Sequence, residues 1–511
     1  MLKLFFKKIL KHWDLLFLIF LSFFTRFINL SYPSRVVFDE AHFGLYATKY
    51  LSHQYFFDIH PPLGKMLFAL AGLLGKVKPG FDFSVDRDYG DFNFLALRSL
   101  TCLFGSLFII LIYFFVKEMG FSRRVAFLSG FLLLFDNALV VQSRFILMDV
   151  ILVFFIFLSL YFFILSKKYS PFSFKWYLFH ILCGVSLGCA ISVKLTGFGA
   201  LGIILIITFT ELVFGKSKRE LLSRTNLKIL SAKLIFVFLL PLLIYFIFFV
   251  IHFYLLSEPC SSNCGDVFKQ YEVIDKLKTR ALQMGTLKEV TGTTMVFKFL
   301  NNPPAGNIIS KFFATNKAMF LSNFDSCGAH SYQSNWSSWP FLLRPIWYFY
   351  EANDDKSSSI FFLGNPFVWW LGTLGIISYL YLMVRFFVKK FKSNIPRFFY
   401  SENAIIIFYS CLVYLISFGG VARFTMIYHY LPALTFSVIL FSLLFEGIIE
   451  TKVGYSPTDK ILFANKKANI LFIGLLILVV AGFLFFSPLT YGIPLSEKAF
   501  QLRMWLPSWS F

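Results

Sequence analysis

Phe145–Leu165 reads FILMDVILVFFIFLSLYFFIL, and Ser166, Lys167 and Lys168 follow it. The run is apolar throughout except for Asp149 near its start, and two lysines stand just past its end. The hydrocarbon core of a bilayer needs roughly 20 consecutive apolar residues in helical form. This stretch has that length, and it does not alternate with period two as a transmembrane barrel strand would. It reads as a membrane-spanning helix.

Working outward, comparable runs lie at Trp13–Leu30, Leu95–Val116, Val125–Asp136, Trp176–Ser192, Gly197–Phe214, Leu234–Leu255, Pro366–Phe387, Ala404–Ser417, Thr425–Glu446 and Ile470–Phe486. The total comes to about eleven spans. The whole composition agrees: 511 residues, 58% hydrophobic with 72 Phe and only 15% charged, and a mean hydropathy of +0.71. A soluble chain of this length needs far more polar surface. The expectation is an all-α polytopic membrane protein with one membrane-embedded domain over residues 1–511.

A formal charge of +21 could point to nucleic acid, but the basic residues sit in short clusters between apolar runs. Cytoplasmic loops carry such clusters. Lys3, Lys7, Lys8 and Lys11 precede the first run, which lacks a small-residue cleavage site and reads as an uncleaved helix. Lys117, Arg123 and Arg124; Lys167 and Lys168; Lys216, Lys218, Arg219, Arg224 and Lys228; Arg385, Lys389, Lys390, Lys392 and Arg397; and Lys452, Lys460, Lys466 and Lys467 fall in alternate loops. That alternation places the N-terminus in the cytoplasm and the C-terminus outside. It leaves no role for nucleic acid.

Two long segments then lie outside, residues 31–93 and 257–362. The first carries two expected interfacial helices, Ala41–His53 and Leu63–Val77, the second introduced by Pro61-Pro62. Cys102, Cys183, Cys189 and Cys411 lie in apolar runs as packing residues. Cys260, Cys264 and Cys327 fall in the second loop, where an oxidising compartment would allow a disulfide with its pairing open. Asn335-Trp336-Ser337 is a glycosylation sequon of a kind common by chance.

The unusual polar residues gather on that outer side. Asp39, Glu40, Asp58 and His60 follow the first span, and Arg98 opens the second. Asp136, Asn137, Gln142, Ser143, Arg144 and Asp149 occupy the third-to-fourth connection, Lys194 follows the fifth span, and Arg423, Tyr428 and His429 flank the tenth. Each has an ordinary structural explanation: Asp39 could cap a helix, the arginines could snorkel to headgroups, and the histidines could be satisfied loop residues. Ionisable groups at membrane depth are costly, however, and their convergence on one face marks a site. No His, Cys, Asp or Glu spacing suits a metal.

The quoted blocks resemble a known family. Phe38-Asp39-Glu40-Ala41-His42-Phe43-Gly44, Asp58-Ile59-His60-Pro61-Pro62-Leu63-Gly64-Lys65-Met66-Leu67 and the whole of Leu134–Asp149 are similar to the protein O-mannosyltransferases. So are His330-Ser331-Tyr332-Gln333-Ser334, Trp339-Pro340, Gly364-Asn365-Pro366 and Tyr428-His429-Tyr430-Leu431-Pro432-Ala433-Leu434, in family order over most of the chain. The resemblance implies a C-type glycosyltransferase fold and transfer of mannose from a polyprenyl- or dolichyl-phosphate carrier to Ser or Thr hydroxyls of translocated proteins. The translocation machinery would be a neighbouring partner. Eukaryotic members carry a β-trefoil domain in the large outer loop, and residues 257–362 leave no room for it. A short, bacterial-type form in a plasma membrane is therefore implied, with the ER membrane as the eukaryotic counterpart.

Lipid phosphate is already a good leaving group, so one carboxylate serving as base is enough, unlike the pair in a glycosidase. Asp39 is the first choice and Glu40 the second. The departing phosphate calls for fixed positive charge, for which Arg144, Lys194 and Arg423 are candidates. Gln142, His60, Tyr428 and His429 are neutral donors, and Asp149 belongs to the same donor-binding group. Family resemblance assigns Arg98 to orienting Asp39. No cofactor is required, because the lipid-linked sugar is a substrate. The competing readings are a transferase of this architecture acting on a lipid or glycan, a secondary transporter, and a non-catalytic chaperone-like membrane protein.

Overall fold

The computed structural model describes residues 12–213, 220, 222–260, 303–324, 331–388, 401–421, 424–450 and 460–509. In chain order the helices are α1 (Trp13–Phe27), α2 (Glu40–Leu51), α3 (Leu63–Leu74), α4 (Phe94–Glu118), α5 (Arg123–Leu134), α6 (Asn137–Gln142), α7 (Asp149–Ser166), α8 (Phe174–Val193), α9 (Phe198–Val213) and α10 (Arg224–Leu255). After them come α11 (Ile308–Phe324), strands β1 (Ile346–Asn353) and β2 (Lys356–Phe362), then α12 (Pro366–Val388), α13 (Glu402–Ile416), α14 (Leu431–Glu450) and α15 (Lys466–Tyr491).

A helix stands at each of the eleven expected runs, and eight are long and apolar enough to cross a membrane among the described residues. Shorter ones such as α5, with 12 residues, do not reach that length by themselves. The chain is thus a multi-pass integral membrane protein. The Lys3–Lys11 cluster and Arg423 lie outside the described residues.

Ion pairs tie the basic loops together at one end of the bundle. Arg123 pairs with Asp14, Arg124 with Glu446, Lys168 with Glu118, and Lys167 with both Glu211 and Glu402. These contacts bring the start of α1 and the five alternate loops to a common face, as antiparallel neighbours require. Arg124 goes further. Its guanidinium also donates to the carbonyls of Ile461 and Leu462 and stacks on Phe463.

Close packing follows from small residues. A Cβ at Gly184 of α8 would meet the Phe236 carbonyl oxygen at 2.0 Å, and one at Gly188 would meet Ile244 at 2.6 Å. This small-xxx-small face lets α8 lie against the wide π turn Leu234–Leu239 that precedes Pro241 in α10. Proline cannot donate to the preceding turn, and a π turn absorbs that defect within a continuing helix.

The sequence expectation needs correction in three places. The fourth span begins at Asp149 rather than Phe145, because the third-to-fourth connection folds into α6. Asp136 caps α6 by accepting from Leu139 N–H, and it also accepts from Asn365 N–H and Trp369 Nε1. The connection is thereby pulled into the protein, and Asp136 through Asp149 are all buried. Second, the large outer loop, for which no secondary structure is expected from sequence, carries a hairpin: β1 and β2 pair antiparallel around Asp354-Asp355, with Asp354 at φ 44. Third, the interfacial helices sit at Glu40–Leu51 and Leu63–Leu74, slightly short of the expected ends. Cys260 is disulfide-bonded, while Cys102, Cys183, Cys189 and Cys411 are free; Cys264 and Cys327 lie outside the described residues.

Breaking the Arg124–Glu446 pair leaves a buried charge uncompensated. Glu446→Leu is expected to cost about 3–5 kcal/mol, read as a lower melting temperature in detergent. An unchanged melting temperature would deny this end of the bundle its tie.

Candidate active site

The Asp39-Glu40 pair divides into two unlike environments within two residues. Phe38 adopts a left-handed backbone with φ 48, a conformation costly for a side chain of this size and held only by its surroundings. The kink stacks the Phe38 ring on Tyr348 of β1, with centroids 4.3 Å apart. Asp39 then occupies the N-cap position of α2 without making a side-chain cap bond, and it stays half-buried. The capping explanation of Asp39 therefore fails.

Glu40 is fully buried. Its carboxylate accepts from Arg98 Nε and Nη2 at 2.8 Å each, from Val37 N–H at 3.0 Å, Ile146 N–H at 3.0 Å and Tyr89 Oη at 3.1 Å. Arg98 spends its other donors on the carbonyls of Leu30, Pro33 and Arg35 and lies between Phe94 and Phe145. Arg98 thus grips Glu40 and does not orient Asp39 directly. Two-pronged guanidinium–carboxylate contact fixes geometry as well as charge, and three further donors complete the shell around the Glu40 carboxylate.

Arg144 has different partners. It is buried and donates to the carbonyls of Arg26, Ile28 and Asn29, which satisfies the open C-terminal end of α1. It stacks on Tyr491 at 4.7 Å. A guanidinium spent on main-chain carbonyls and a ring serves the fold.

Five other expected residues do assemble. Lys194 Nζ lies 2.7 Å from Asp149 Oδ1, Gln142 Nε2 donates to Asp149 Oδ2 at 2.9 Å, and Tyr348 Oη donates to Gln142 Oε1 at 2.9 Å. Lys194 stands 5.2 Å from the centre of the Tyr428 ring. Asp149, Thr196, Tyr428, His429 and Pro432 line a small cavity beside this chain of contacts. His429 stacks with Tyr428 and sits against Phe418.

Two tyrosines show how Asp39 relates to its surroundings. Burial pushes the Tyr348 phenol well above its usual range, and the charge of Asp39 then adds to this, followed by Tyr428 and Asp149. Tyr46 is raised well above its usual range by burial and then by Asp58 and Asp39. Asp39 is therefore within electrostatic reach of Tyr348 and of Tyr46, and Tyr46 is also reached by Asp58. Asp58 pairs with Lys65 at 2.5 Å, and Lys65 also donates to the His60 carbonyl at 2.6 Å. Asp58, His60, Lys65, His252 and Thr315 line a second cavity. Among the described residues no three His, Cys, Asp or Glu side chains converge as metal ligands would.

Sequence reasoning missed Tyr348 and the Asp58–Lys65 pair. The latter lay within a quoted block at a spacing of seven, across the turn that starts α3. Tyr348 carried no local signal. Its role comes from a hairpin that folds back over residues 32–40.

Two family models account for most of the chain. Residues 16–257 match dolichyl-phosphate-mannose-protein mannosyltransferase, and residues 308–509 match the C-terminal four-transmembrane region of protein-O-mannosyltransferase. The chain belongs to the protein O-mannosyltransferase family. Dolichyl-phosphate-mannose–protein mannosyltransferase 3 of Saccharomyces cerevisiae is 37% identical over 256 residues, covering 49% of this chain and 34% of that one. Protein O-mannosyl-transferase 2 of Drosophila pseudoobscura pseudoobscura is 30% identical over 309 residues, covering 59% and 41%. The aligned part of this family member thus spans about a third of the first curated relative's length.

The fold is shared with a structure of the S. cerevisiae protein O-mannosyltransferase Pmt1-Pmt2 complex bound to the sugar donor. The TM-score is 0.78 at 21% identity, over 98% of this chain and 93% of that one. The Archaeoglobus fulgidus oligosaccharyltransferase in the apo form gives 0.54 at 14% identity, over 98% and 58%. This family member has the C-type glycosyltransferase fold.

The Glu40 lock and Asp39 are separable by stability. Arg98→Ala should cost about 3–5 kcal/mol by stranding a buried carboxylate, whereas Asp39→Asn, which breaks no cap bond, should leave the melting temperature unchanged. Equal melting losses in both variants would show that Asp39 is structural too.

Proposed function

We propose that this protein transfers mannose from a polyprenyl- or dolichyl-phosphate carrier to Ser or Thr hydroxyls of polypeptides, with inversion. The observation that carries this is the contrast inside the Asp39-Glu40 pair. One carboxylate is locked dry by Arg98, and its neighbour stays half-buried within reach of the Lys194–Asp149–Gln142–Tyr348 contacts. A reaction needing one base and one anion-holding region is the one such an arrangement serves.

In the proposed step the acceptor hydroxyl oxygen attacks the anomeric carbon of the sugar. The bond from that carbon to the phosphate oxygen breaks, the hydroxyl proton passes to the Asp39 carboxylate, and the lipid phosphate departs. Lys194 supplies fixed positive charge beside the leaving phosphate, where a dry site strengthens its effect. Tyr428, His429 and His60 are the neutral donors of this reading, and Gln142 and Asp149 hold Lys194 in place. Arg423 remains a candidate for the same phosphate. No cofactor enters, since the lipid-linked sugar is consumed as a substrate.

The site is read as open to the non-cytoplasmic side of a bacterial plasma membrane, or of the ER if the chain is eukaryotic. Disulfide-bonded Cys260 supports an oxidising compartment on that side. The basic ion-paired end would face the cytoplasm. The acceptor would arrive from the translocation machinery, unfolded and extended.

Purified protein, polyprenyl-phosphate mannose and a Ser/Thr peptide test the reading, with mass spectrometry of the peptide as readout. Asp39→Asn should lower transfer by roughly 10²–10⁴-fold with donor binding retained, and Lys194→Ala should raise the donor KM. Wild-type turnover by the Asp39 variant would remove it as the base. Label crossing vesicles unchanged would point to transport instead.

A further inference from the structure

The hairpin β1–β2 has one covered edge and one open edge. Ser357 of β2 exchanges both backbone bonds with Leu495, Ser357 N–H to Leu495 carbonyl at 2.8 Å and Leu495 N–H to Ser357 carbonyl at 2.9 Å. Ser357 therefore turns its polar backbone away from β1. Its cross-strand partner is Ala352, so these two form a non-hydrogen-bonded pair. In an antiparallel ladder both members of such a pair point their N–H and carbonyl outward, on opposite sides.

Ala352 thus presents its N–H and carbonyl on the free edge of β1. The alternation places Tyr350, opposite Ser359, in the same state. Ala352 is exposed and Tyr350 is 51% exposed. Among the described residues neither has a backbone partner beyond the hairpin. An unpaired strand edge is a ready template for a further strand.

The strand carries this edge toward the site, with an irregularity in the ladder between Trp347 and Phe349. Tyr348, two residues before Tyr350 in β1, stacks on Phe38 beside Asp39 and bonds Gln142. Between them the hairpin is anchored to the segment leading to Asp39: Tyr32 Oη donates to Glu351 at 3.1 Å, Arg35 pairs with Glu351 at 3.6 Å, and Tyr32 meets Phe349 edge-on. Adjacent residues along a strand are about 3.3 Å apart, so Ala352 lies roughly four such steps from Tyr348. That span is a few residues of extended peptide.

We propose that the open edge of β1, at Tyr350 and Ala352, docks the acceptor polypeptide as an added antiparallel or parallel strand that runs on toward Asp39. The inference rests on the proposed transfer to proteins and names how their chains are held. Strand addition takes its affinity from main-chain bonds and leaves alternate side chains pointing away from the template. An enzyme acting on many sequences would gain from that mode, because every non-proline residue offers the same N–H and carbonyl.

The test uses the full-length protein with one Ser/Thr peptide and a set of single backbone N-methyl variants of that peptide. Strand pairing predicts a KM rise of roughly three- to tenfold for each lost bond, at every second methylated position, with the intervening positions tolerated. Ala352→Pro removes the outward N–H without touching a bond inside the hairpin, and edge strands accept proline at such places. It should raise peptide KM similarly, with kcat, donor KM and melting temperature unchanged. If the unmodified peptide is mannosylated but N-methylation shows no alternation and Ala352→Pro leaves peptide KM unaltered, edge docking is overturned while transfer stands. If the wild-type protein mannosylates no peptide at all, the functional reading fails and this inference falls with it.

Discussion

A buried carboxylate gripped on all sides organises the candidate site. Glu40 alone would be expensive in a dry protein interior, since an unpaired charge there costs several kcal/mol. Arg98 offsets this with two parallel bonds, and backbone donors from Val37 and Ile146 complete the shell. The same contacts join the loop after α1, the start of α4 and the turn before α7. Because all of these must be in place for the charge to be tolerated, the lock fixes the position of the residue just before it. Asp39 takes its placement from the neighbour that this lock holds.

The two ends of the helix bundle use charge differently. At one end Asp14, Glu118, Glu211, Glu402 and Glu446 each meet a basic residue from another loop, which holds helices that lipid would not otherwise force together. At the other end the Asp58–Lys65 and Asp149–Lys194 pairs each stand beside a small cavity. Lys194 illustrates the difference. Its partner Asp149 holds it in place, with the Tyr428 ring 5.2 Å away and a small cavity alongside.

The arginines show where residue type misleads. Arg98, Arg144 and Lys194 look equivalent in a sequence, each a cation at the outer end of a span. The partner within reach separates them: a carboxylate for Arg98, the bare carbonyls ending α1 for Arg144, and a carboxylate beside a cavity for Lys194. Those partners are 58 to 118 residues away for the two arginines and 45 for the lysine, so no local pattern could name them. Tyr348 was invisible for the same reason. Its hairpin did leave a trace, an Asp-Asp turn between apolar and Ser-rich runs, which the weight of apolar helices obscured.

The sequence by itself determined the solvent and the helices. Continuous apolar runs can satisfy their backbone in lipid only as helices, and alternating basic loops set which ends go together. It also singled out Asp39, because a short ordered block carried the resemblance. Only the tertiary structure decided which carboxylate or carbonyl each cation meets, that Arg98 grips Glu40 with two donors, and that the hairpin lies against the segment leading to Asp39. Those outcomes depend on contacts between residues far apart in the chain, and the energy of a buried charge is set by what surrounds it.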